Sequence, residues 1–156
     1  MDTYFLIKTL HILGATVIFG TGLGTAFQML SAHRRGDPSG IALVARNVVS
    51  ADWVFTTPAV ILQPITGTAL ALLAGYSLWD DWILGSILLY GLAGACWLPV
   101  VWIQYRLRDL ARNAAETGQD LPAEYHRLFR WWFALGWPAF GAMLVVFHLM
   151  VSKPTL

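Results

Sequence analysis

Charge is what this sequence has least of. Only 19 of its 156 residues are Asp, Glu, Lys or Arg, a 12% share, against about 25% in soluble domains. Apolar residues make up 57%, above the usual 45–50% or so. That balance excludes a disordered chain, a coiled coil and almost every soluble globular class. A net charge of +1 supplies no basic surface for a phosphate backbone, so nucleic acid is not an expected partner. The single cysteine forms no internal disulfide and offers no zinc or iron–sulfur spacing. A cleavable leader is also missing its marks. Met1–Lys8 sets Asp2 against Lys8, and the apolar run that follows exceeds the roughly 7–15 residues of a signal-peptide core. The first apolar run is therefore expected to stay in the mature protein.

The few charges are grouped. Four runs carry none at all: Thr9–His33, Trp53–Trp79, Trp82–Tyr105 and Trp131–Ser152. A helix crossing a hydrocarbon core of about 30 Å needs roughly 20 apolar residues. Each run is long enough to cross once and too short to cross twice. The expectation is an all-α membrane protein, an antiparallel bundle of four transmembrane helices in one domain (1–156). Its helices are placed at about 4–32, 42–76, 82–112 and 122–152, with apolar Ile41–Val49 extending the second beyond the membrane. Arg34, Arg35, Arg46, Arg106, Arg108, Arg112, Arg127 and Arg130, eight of the ten basic residues, lie in the 1–2 and 3–4 connections. The positive-inside rule then puts both connections in the cytoplasm and both termini outside. A multi-pass protein of the bacterial inner membrane, in contact with the lipid bilayer, is the expected setting.

Inside the runs, Thr16, Gly20 and Gly24 recur at four-residue spacing, the small-xxx-small pattern of close helix approach and a candidate homodimer face. Pro58, Pro64, Pro99 and Pro138 each remove a backbone hydrogen bond and free a carbonyl, for which Thr56, Thr57, Gln63 and Thr66 are nearby partners. The four charge-free runs hold no ionisable carboxylate, lysine or arginine of the kind that pumps and ion-coupled transporters keep on their pathways, which argues against ion transport.

Histidine is then the candidate chemistry. His11 follows Lys8 by three residues and His148 precedes Lys153 by five, placing them about 4.5 Å and 7.5 Å from those lysines along their helices. Even helix number brings both to the outer face at nearly one level. Two inward imidazoles at one depth would be the minimal axial set for a haem iron. Gly14 and Gly22 on the face of His11, and Gly141 on that of His148, would leave room for the macrocycle, while Lys8 and Lys153 would meet its propionates. The competing reading is a pair of hydrogen-bonded packing histidines. His33 and His126 repeat the pairing at the opposite end, each 22 residues from its counterpart. A second haem would fit that spacing, but the adjacent Arg34 and Arg127 make them residues of a solvated edge.

Lys8-Thr-Leu-His-Ile-Leu-Gly14 with Phe19-Gly-Thr-Gly-Leu-Gly24 resembles the first helix of a family of small bacterial predicted integral membrane proteins of unknown function. Asp52-Trp-Val-Phe-Thr-Thr-Pro58, Gln63-Pro-Ile-Thr-Gly67, Trp97-Leu-Pro99 and Ser152-Lys-Pro154 extend that resemblance over nearly the whole chain. More distantly, Leu10-His11-Ile12 is similar to the start of HemJ-type protoporphyrinogen oxidases and CopD-like membrane proteins. The resemblance implies haem at His11. It also implies a lysine early in helix 3, where this chain has Trp82-Ile-Leu-Gly-Ser-Ile87 instead.

Three readings follow. The first is a redox-active b-type haem protein acting on electrons or on a lipid-soluble quinol, quinone or porphyrin near the outer face, with His11 and His148 on the iron. The second is a cofactor-free scaffold or accessory subunit. The third is a HemJ-like protoporphyrinogen oxidase.

Overall fold

The computed structural model describes residues 2–154, and every regular element among them is helical. Helix α1 spans Asp2–Arg35 and α2 spans Pro38–Ala51. A π-helical turn at Asp52–Thr56 joins α2 directly to α3, Thr57–Leu73. Helix α4 spans Asp81–Thr117 and α5 spans Ala123–Ser152. Counting α2, the π turn and α3 as one rod, four helices are long and apolar enough to cross a membrane. They form the antiparallel bundle that the charge-free runs imply.

The boundaries have local causes. Asp37 caps α2, accepting from the backbone N–H groups of Ser39 (3.3 Å) and Gly40 (2.7 Å), with Pro38 in the first turn where no N–H is needed. Gly118 ends α4 in the left-handed conformation at φ 65°, which glycine adopts without strain. Helix α4 therefore runs five residues past the expected 112.

The π turn traces to Pro58. With no N–H, Pro58 cannot bond the Val54 carbonyl, and its ring crowds that oxygen. The helix widens there, and the Thr57 N–H reaches five residues back to the Asp52 carbonyl. Pro64 likewise frees the Val60 carbonyl. Its partner comes from another helix: Tyr90 of α4 donates to it at 2.7 Å, not one of the nearby threonines or Gln63.

Packing divides the bundle into two ends. At the arginine-rich end, Met29 and Ala32 of α1, Ile41, Ala45 and Val48 of α2, Ile103, Leu107 and Ala111 of α4, and Tyr125 and Phe129 of α5 form one closed core. Ile41, Leu107 and Tyr125 have no exposed surface, and burying a side chain of that size contributes roughly 1.5–3 kcal/mol. Toward the termini, Ala93, Ala142 and Met143 pack with Ile18, Leu89 and Tyr90. Helix α1 lies on the perimeter, and none of residues 3–28 is buried.

Candidate functional site: a cavity with a polar end

Between those two packed zones the helices part. A cavity of about 370 Å³ opens among α1, the π turn, α4 and α5, with walls that include Phe19, Leu23, Trp97, Trp137, Phe140 and Met143. From Trp132 to Met143 it follows α5 for about 16 Å at 1.5 Å per residue. Glycines on three of its walls, Gly22, Gly94 and Gly136, sustain the space: a Cβ added to any of them would meet nothing within 4 Å. Leu23 of α1 and Trp137 of α5 line the cavity while more than half exposed, so it reaches the surface between those two helices.

One end of this apolar chamber is polar. Asp52, Thr56, Gln104 and Trp132 all line it, and all are at least nine-tenths buried. The Thr56 hydroxyl donates to Asp52 Oδ1 at 2.8 Å, and Gln104 approaches the same carboxyl from α4. Among the described residues, Asp52 Oδ2 has no hydrogen-bond partner, and neither has Trp132 Nε1. A buried polar atom left unpartnered costs about 1–3 kcal/mol. Here two of them, one an acceptor and one a donor, belong to the same chamber.

The placement follows from the sequence. Asp52, Thr56, Gln63 and Thr66 recur at helical spacing on one buried stripe of the second rod. Asp52 stands 21 residues from Leu73, about 31 Å along the helix, which puts it at the far edge of a bilayer core. The charge-free run starts at Trp53, so a reading based on uncharged stretches ends one residue short of Asp52, the one buried acid among the described residues. The polar stripe was the available signal.

Of the residues expected at a site, Gly22 lines this cavity and the others do not. His11 faces α3: its Nδ1 lies 2.8 Å from Thr66 Oγ1, and a Cβ on Gly67 would come within 3.1 Å of its ring. Gln63, in its hydrogen-bonding orientation, donates to the His11 carbonyl at 3.0 Å and accepts from the Ala15 N–H at 3.2 Å. Gly14 fits against that same glutamine. His148 is exposed on α5; its ring makes no hydrogen bond among the described residues, and its backbone carbonyl accepts from Ser152 Oγ at 2.8 Å.

His11 thus serves the α1–α3 packing. No cluster of three or more His, Cys, Asp or Glu side chains suited to a metal ion occurs among the described residues. Gly22 lines the cavity, and Gly141 is exposed. Lys8 stands over the Tyr4 ring at 5.7 Å. Lys153 Nζ donates to Tyr76 Oη at 3.4 Å and lies over the Trp82 ring at 5.6 Å. His33 stacks on Phe129 at 3.6 Å between ring centroids and meets Tyr125 Oη at 3.3 Å, with His126 beside it at 5.9 Å.

Compared with known families, residues 5–154 match the one described as predicted integral membrane protein (DUF2269), and the chain belongs to it. No curated protein and no solved structure matches the chain.

Proposed function

We propose that this integral membrane protein binds a lipid-soluble amphiphile whose polar head is a ring hydroxyl, of the phenol or quinol class, with the head at Asp52 and Trp132. The observation that carries this reading is the pair of unpartnered buried atoms. A hydroxyl donates one hydrogen bond and accepts another, and Asp52 Oδ2 and Trp132 Nε1 ask for those two together. The rest of the ligand suits the chamber, which is apolar and aromatic with a few convergent polar groups. An apolar tail leaves between α1 and α5 and stays in lipid. With both termini outside the cytoplasm of a bacterial inner membrane, the head lies toward the cytoplasmic leaflet.

The test is binding of a short-tailed quinol to the purified full-length chain by calorimetry. Asp52→Leu removes a hydrogen bond to a charged group, worth about 1.5–3 kcal/mol, and should weaken binding about tenfold or more. Trp132→Phe removes a neutral bond of about 1 kcal/mol and should weaken it several-fold. Equal affinity in wild type and both variants overturns the reading. A Soret band in the purified protein that disappears in His11→Ala would put a haem protein in its place.

A further inference from the structure

We infer that a second site, on the outside of the arginine-rich end, binds the phosphate of an anionic phospholipid headgroup. Arg46 of α2 and Arg108 and Arg112 of α4 line one groove of about 380 Å³ together with Ala42 and Leu43. Three arginines from two helices thus line one small space. Two carboxylates are near them. Asp109 accepts from Arg108 Nε at 2.9 Å, and Glu116 lies 3.8 Å from Arg112 Nε. Neither lines the groove, and Arg46 makes no ion pair among the described residues. The groove therefore keeps an excess of positive charge, with planar donors of the geometry that phosphate oxygens accept.

The depth of the groove selects a lipid over a free anion. Trp53 Nε1 donates to Tyr105 Oη, and Trp53 is exposed; tryptophan and tyrosine are enriched at the headgroup level of a bilayer. The Arg108 guanidinium lies 4.8 Å from the centroid of that same Tyr105 ring. Side chains on α4 lean toward its N-terminus, so Arg108 and Arg112 are directed back toward the aromatic level. A basic groove between helices at that level recognises anionic headgroups. The site is separate from the cavity: none of its lining residues is shared with it.

Native mass spectrometry of the full-length chain in detergent, titrated with phosphatidylglycerol or phosphatidylcholine, tests the inference. Phosphatidylglycerol should bind in preference to phosphatidylcholine, and Arg46→Gln and Arg112→Gln should each weaken it about fivefold, the effect of about 1 kcal/mol per arginine near a membrane surface. Arg127→Gln, a charge outside the groove, should leave it unchanged. Equal binding of the two lipids overturns the inference, as does an Arg127→Gln loss equal to that of Arg46→Gln, which would mean diffuse attraction without a site. If millimolar inorganic phosphate displaces the lipid as well as a short-chain phosphatidylglycerol does, the site takes a free anion and the lipid assignment fails.

Discussion

Individual side chains here answer to two different demands, and substitution separates them. Tyr90 has a structural task. Its hydroxyl satisfies the Val60 carbonyl that Pro64 leaves free, and in an apolar surrounding no water replaces it. Tyr90→Phe should therefore lower stability by about 1–3 kcal/mol, read as a lower thermal midpoint of the detergent-solubilised protein. An unchanged midpoint would mean that the carbonyl finds another donor. Asp52 is the reverse case. Its free oxygen already costs stability and offsets the bond that its other oxygen accepts from Thr56, so Asp52→Leu should leave the midpoint nearly equal while ligand affinity falls. A stability loss matching the affinity loss would make Asp52 a packing residue instead.

At the scale of the elements, the second rod holds the most information about function. Its π turn sets the angle at which Asp52 and Thr56 meet the cavity, and the turn exists because Pro58 cannot bond Val54. Pro58→Ala restores that N–H. The expected outcome is an unchanged helical circular dichroism spectrum with quinol affinity reduced about tenfold, comparable to loss of the charged hydrogen bond itself. Full affinity in this variant would show that the π turn does not position the carboxyl.

The four spans themselves were legible in the sequence, because a run of uncharged residues reports length and little else is needed for a crossing helix. The site was not. Matched depth of His11 and His148 fixes a position along each axis and says nothing about rotation about it; the His11 ring meets Thr66 of α3, and His148 is exposed on α5. The cavity was hidden for a related reason. It is made by what Gly22, Gly94 and Gly136 omit on three separate helices, and only the assembled bundle aligns those gaps.

At the scale of the whole molecule, a tightly packed end carries the arginines and a looser half carries the chamber. The positive-inside rule predicts that asymmetry to be oriented with the arginines in the cytoplasm. Asp80→Cys, in the α3–α4 link, should then react with a membrane-impermeant thiol reagent added to intact cells, while native Cys96, buried in α4, stays silent. Labelling of residue 80 only after the membrane is opened would reverse the topology, and with it the leaflet from which a ligand's head enters.

The central claim is that the chamber holds a hydroxyl-headed amphiphile with its head between Asp52 and Trp132. Photolabelling tests it most directly: a quinol analogue with a photoreactive group on the ring, irradiated with the full-length protein in lipid and mapped by mass spectrometry. The account predicts adducts within the segments that carry Asp52, Thr56, Gln104 and Trp132, suppressed by excess unlabelled quinol. Adducts confined to lipid-facing residues such as Phe27, Leu88 and Val151, insensitive to competitor, would contradict it.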